Sequence, residues 1–173
     1  MNMTRKIGSV AVALTVALGL ASGPALAKDG KSLNLRAPEA LVGAWRVTVA
    51  PRNCATGQVF EQFAFPSFLT FAAGGTMLET GSNGRFDPGQ RSVGHGYWAR
   101  TGTGTYHAVI EAHVHFDSAN YKRGSQRLVQ DIQMLDADSW ESLADVYFYD
   151  TEGNLVDQPN NPGCAKATGE RMW

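Results

Sequence analysis

From Val42 onward the chain alternates apolar and polar residues, and Gly-, Asn- and Asp-containing turns interrupt the alternation at short intervals. Leu128, Gln130, Ile132 and Met134 share one parity, opposite Arg127, Val129, Asp131 and Gln133. Trp140, Ser142, Ala144, Val146 and Phe148 share another, opposite Glu141, Asp145 and Tyr147. A period of two with one wet face belongs to antiparallel sheet, whereas a parallel sheet buried on both faces reads as continuous apolar runs. The pattern predicts strands over residues 42–51, 67–72, 76–80, 94–101, 105–116, 124–135, 139–149 and 164–172, with a short edge strand at 155–156. Ala73-Gly74-Gly75, Gly102-Thr103-Gly104, Asp117 to Asn120 and Asp136-Ala137-Asp138 are hairpin turns. No helix of normal length is predicted, so the fold class is all-β, an antiparallel up-and-down barrel of about eight strands.

The first residues read as a targeting segment. Arg5 and Lys6 precede an apolar run over residues 7–20, and Ala25-Leu26-Ala27 supplies a small-residue cleavage site. The predicted organisation is a secretory signal peptide over 1–27, a flexible polar segment over 28–37 and one barrel domain over 38–173. This points to the general secretory route and a periplasmic or extracellular location. The whole chain of 173 residues has a net charge of −1, and removing Arg5 and Lys6 makes it more acidic. That disfavours nucleic acid and anionic membrane as partners, because both need a basic footprint. No later segment is apolar enough to span a bilayer. An exported chain with two cysteines most simply joins Cys54 to Cys164.

Gly43-Ala44-Trp45 at the start of the first strand and Arg171 near the end of the last one resemble the closure of a lipocalin-like (calycin) exported bacterial β-barrel. The resemblance implies that Trp45 plugs the closed end and that Arg171 lies across its indole. First and last strands paired antiparallel keep a nearly constant sum of residue numbers. Trp45 with Arg171 and Cys54 with Cys164 satisfy one such ladder within the slack of a bulge or loop. The resemblance covers roughly residues 38–173 and implies a cup holding a small, mostly apolar molecule. The chain departs from the animal lipocalin pattern after its first strand and in having no C-terminal helix, which leaves the ligand class open.

Two long connections carry aromatic residues: 54–66 with Phe60, Phe63 and Phe65, and 82–93 with Phe86. Loops of this length in a small barrel are commonly binding elements, and 54–66 follows the first strand at the end opposite Trp45. The predicted lining of the cup is His95 with Tyr97 or else Trp98, together with Leu128, Gln130, Met134, Trp140, Ala144 and Phe148. Gln130, flanked by Leu128 and Ile132, points inward, either to orient a ligand or to join Ser142 in an internal network. His95 and Glu111 are the candidate acid or base. On the strand after Tyr106, simple alternation places His107, Glu111, His113 and His115 on a solvated face. A bulge near Glu111 would turn His113 and His115 inward as metal ligands. No further histidine follows them, so the expectation is no metal and no cofactor. Nucleophile elbows and phosphate-binding loops are absent from the sequence.

Three functions remain. The first is a monomeric barrel that binds a small hydrophobic or amphipathic molecule. The second is a cofactor-free isomerase, cyclase or lyase using His95 or Glu111, which leaves enzyme status open with binding favoured. The third is a partner-binding or structural barrel.

Overall fold

The computed structural model describes residues 39–118, 121–157 and 161–173. The expected signal peptide and polar segment lie outside the described residues. Eight strands follow in chain order: β1 (Gly43–Arg52), β2 (Phe65–Phe71), β3 (Thr76–Gly81), β4 (Gly94–Gly102), β5 (Thr105–Val114), β6 (Gly124–Met134), β7 (Ser139–Asp150) and β8 (Gly163–Arg171). Each pairs antiparallel with the next, and β8 returns to β1, closing the barrel. One three-residue 3-10 turn, Glu61–Phe63, precedes β2. The expected edge strand at 155–156 is reduced to a single bridge between Tyr149 and Leu155. No helix among the described residues is long and apolar enough to cross a membrane.

The closing ladder runs from Trp45 opposite Arg171 to Arg52 opposite Cys164. Cys54 lies just past the end of β1 and is bonded to Cys164, with the Cα atoms 5.3 Å apart. Closure removes both sheet edges, which would otherwise offer unpaired backbone groups to other chains. The β2–β3, β4–β5 and β6–β7 turns gather at the Trp45 end. The other four connections gather at the opposite end, around the disulfide.

At the turn end, Trp45 is 0% exposed and its indole N–H donates to the carbonyl of Leu41, itself fully buried, at 2.9 Å. The Arg171 guanidinium lies 4.3 Å from the Trp45 ring centroid. It donates to the carbonyls of Val42 at 2.9 Å, Ala40 at 2.6 Å and Ala137 at 2.8 Å, and to the Asp138 carboxylate at 3.1 Å. One side chain thus satisfies carbonyls from the entry segment and from the β6–β7 turn while stacking on the plug. Gly43 is required beside it. Its φ is +142°, and a Cβ there would lie 2.7 Å from an Arg171 nitrogen.

Above this clasp the floor is aromatic. Trp45 meets Trp140 edge-on at 6.1 Å, Phe71 meets Trp140 at 6.4 Å and Trp98 at 6.1 Å, and Trp98 meets Tyr106 at 5.6 Å. Such pairs contribute about 0.5–1.5 kcal/mol each beyond their burial. Gly169 on β8 lies under the Trp140 indole, where a Cβ would collide with the ring. The bulky residues therefore fill one half of the barrel, and the small residues Ala144, Ala165 and Ala167 line the walls of the other.

Arg171→Ala should lower unfolding free energy by about 3 kcal/mol, since several carbonyls lose their donor together. Arg171→Lys should recover only part of this, because an ammonium lacks the planar fork. Urea unfolding followed by tryptophan fluorescence reads both. Replacing Cys54 and Cys164 together by Ser should cost about 4–5 kcal/mol through the reopened loop, read in the same assay.

Candidate functional site

The half of the barrel away from Trp45 is hollow. A cavity of ≈ 1300 Å³ opens between the loops at that end, and both apolar and polar side chains line it. Val47, Val49, Leu69, Ile110, Leu128 and Val146 form apolar wall, with Ala144, Ala165 and Ala167 leaving the space. Phe60, Phe63 and Phe65 stand at the mouth, as expected from the first long loop. The second long loop adds Phe86, which meets Phe116 at 5.9 Å and Tyr121 at 5.0 Å, and Tyr121 continues the contact to Phe148 at 5.2 Å. Phe86, Phe116, Tyr121 and Phe148 thus form one continuous aromatic surface along the cavity.

Beneath the rim a polar belt crosses the interior. Glu79, on the inward face of β3, pairs with Arg91 at 2.8 Å, and the two side chains are only 9% and 10% exposed. Ser67 donates to the Glu79 carboxylate at 3.2 Å, and Arg91 Nε donates to the Gln126 side-chain oxygen at 2.6 Å. Arg91 also donates to the carbonyl of Ser92 at 3.3 Å. Gly81 and Gly94 flank the carboxylate so closely that a Cβ on either would meet a Glu79 oxygen, at 2.6 and 2.8 Å. Arg91 is held in place by its neighbours in the chain: Ser92 N–H donates to His113 O at 3.0 Å and His115 N–H donates to Gln90 O at 2.8 Å. Deeper still, Ser142 donates to Gln130 Oε1 at 3.2 Å, and Gln130 is 5% exposed. Its Nε2 is buried without a hydrogen-bond partner among the described residues.

Of the residues expected to form the cup, Leu128, Gln130, Ala144 and Phe148 line the cavity. Trp98 and Trp140 face inward but belong to the packed floor beneath it. Met134 packs against that floor at the closed end and does not reach the cavity. Tyr97 lies on the outer wall at 59% exposure, because Trp98 takes the inward parity on β4. His95 shares Tyr97's parity and is exposed. The β5–β6 register is unbroken from Thr105 to Val114, so no bulge changes faces near Glu111. Glu111, His113 and His115 therefore all point outward and are exposed. The His113 and His115 rings are 6.0 Å apart, and no cluster of three or more metal-ligating residues occurs among the described residues.

Glu111 is a surface ion-pair partner. Partial burial pushes its pKa up, but hydrogen bonds from Arg127 and Ser125 and the nearby Arg127 and His113 charges outweigh that and leave it below the usual carboxylate value. A carboxyl lowered on folding stabilises above its unfolded pKa and loses that contribution as pH falls through the folded value. With both side chains more than a third exposed, the contribution is on the order of a few tenths of a kcal/mol.

The sequence reading missed Glu79, Arg91, Gln126 and Ser67. The available signal was parity: Met77 and Glu79 alternate on one short strand. Arg91 sits in a loop, where alternation carries no information.

No family model matches the chain, and no curated protein matches it. Among solved structures, EF1p2_mFAP2b bound to DFHBI is similar, with a TM-score of 0.51 at 16% sequence identity, over 77% of this chain and 94% of that chain. At that identity the likeness speaks to the fold, a closed antiparallel barrel.

Breaking the interior pair by Glu79→Gln or Arg91→Met should cost about 3–5 kcal/mol, because each leaves a buried charge uncompensated. The double variant should be less destabilised than the sum of the two. A double-mutant cycle by urea unfolding checks this. Glu111→Gln should flatten the loss of stability below the carboxylate range slightly and leave stability at neutral pH within about 0.5 kcal/mol.

Proposed function

We propose that this chain is an exported, lipocalin-like binding barrel that holds one small amphipathic molecule in its open half. The observation that carries this reading is the cavity of ≈ 1300 Å³, open at one end, with an aromatic rim and a polar belt inside apolar walls. Small-molecule sites have this character: concave, mostly apolar and furnished with a few placed polar groups. An eight-stranded barrel is just wide enough for one such ligand, and the similar barrel is bound to DFHBI. The Cys54–Cys164 bond and the N-terminal sequence pattern support export. The alternative enzyme reading depended on His95 or Glu111, and both stand on the outer wall.

N-phenyl-1-naphthylamine, a neutral apolar fluorophore, should bind at one saturable site with enhanced emission. Ala167 lines the cavity from β8, so Ala167→Phe should weaken that binding at least about tenfold by filling the space. The cost of overpacking should be about 1–3 kcal/mol, and a thermal melt establishes that the variant is folded. Non-saturable binding by the unsubstituted protein, or equal binding by a folded Ala167→Phe variant, would overturn the proposal.

A further inference from the structure

The paired charges and the unpaired Gln130 amide inside the cavity narrow the ligand class. Of the charged residues that line the cavity, Glu79 and Arg91 lie on and against the inward face of β3 and neutralise each other at 2.8 Å, whereas Arg52, Arg85, Asp87 and Asp117 belong to the end of β1 and to the loops at the mouth. Arg91 is further committed to Gln126 and to the Ser92 carbonyl, and Glu79 to Ser67. A charged ligand head that passed the mouth would have to break this pair to find a counter-ion, and stripping a buried partner from an ion pair is costly. The pair at the centre of the belt offers no net charge.

Two buried donors of lining residues have no hydrogen-bond partner among the described residues: Arg52 Nε at the mouth end of β1 and, deeper than the belt, Gln130 Nε2. Gln130 lines the cavity, is 5% exposed, and has its Oε1 occupied by the Ser142 hydroxyl. Its Nε2 donor has no hydrogen-bond partner among the described residues. A buried donor left unpaired is unfavourable, and the group that relieves it gains in proportion. β6 runs from the mouth at Gly124 to the closed end at Met134, and Gln130 stands two inward positions deeper than Gln126. The head of a ligand therefore reaches Gln130 only after passing the rim and the belt.

Resting on the binding reading above, we infer that the cavity selects neutral amphiphiles carrying a carbonyl oxygen, inserted head first. The carbonyl accepts a hydrogen bond from Gln130 Nε2, and the apolar body lies along the walls and out to the aromatic rim. Ser142 is a positioning residue: its hydroxyl holds Oε1 and so turns Nε2 toward the ligand. Selectivity of this kind comes from a polar group that only the right ligand satisfies.

Three related naphthalene probes test this: 6-propionyl-2-dimethylaminonaphthalene, 2-dimethylaminonaphthalene without the ketone, and 6-dimethylamino-2-naphthoate with a carboxylate in its place. The unsubstituted protein should bind the ketone roughly tenfold more tightly than the parent amine, and the carboxylate more weakly than either. Bound ketone emission should report a hydrogen-bonded carbonyl. Gln130→Leu, of similar volume, should bind ketone and parent equally and shift bound ketone emission to the blue. Ser142→Ala should reduce the discrimination without abolishing it. Equal affinity for ketone and parent in the unsubstituted protein overturns the head-group assignment while leaving the cup standing. So does discrimination that survives Gln130→Leu, or preferred binding of the carboxylate. Failure of every probe to bind overturns the cup and this inference with it.

Discussion

The closure at Trp45 is the constraint on which the molecule depends. A single guanidinium stacks on the plug and takes carbonyls from Ala40, Val42 and Ala137, so the segment before β1, the end of β8 and the β6–β7 turn meet at one side chain. Because that end is tied and tiled with Trp45, Trp140, Trp98 and Phe71, the barrel gains its packed core there. The other end is free to stay open. The disulfide sits at the open end and fastens the same β1–β8 seam from the opposite side. A seam held at both ends keeps the wall closed where packing no longer does.

A hollow half creates an electrostatic problem, since polar groups below the rim are withdrawn from water. The molecule answers it internally. Glu79, Arg91, Ser67 and Gln126 satisfy one another, in a space kept clear by the absence of side chains at Gly81 and Gly94. Burying an ion pair rarely adds net stability over an apolar pair of the same shape. On the binding role proposed above, its presence in a cavity wall serves what the cavity admits. Deeper than the belt, the Gln130 amide nitrogen is buried without a hydrogen-bond partner among the described residues.

Much of the fold was legible because the relevant signals are local or arithmetic. Alternation on β6 and β7 fixed their inward faces, including Gln130, and the Trp45, Arg171 and cysteine positions fixed the closing register. Parity became ambiguous where large residues occupy both faces: β4 carries Tyr97 and Trp98 side by side, and only the rest of the ladder decides that Trp98 is the inward one. Depth along the axis was not legible at all, so Met134 and Trp140 shared the inward parity of Leu128 yet lie at or against the floor. The belt was the least visible feature. Glu79 looks like any charge on a short strand, and Arg91 reaches it from a loop placed by backbone contacts to His113 and His115.

The central claim is that the open half exists to hold a small neutral molecule. Native mass spectrometry of protein purified without refolding from its own compartment tests it most directly. The account predicts an added mass in the range of small organic molecules, released on gentle activation as an uncharged species. Protein that shows only the loss of two hydrogens to the disulfide, and stays bare after incubation with neutral amphiphiles, would contradict it.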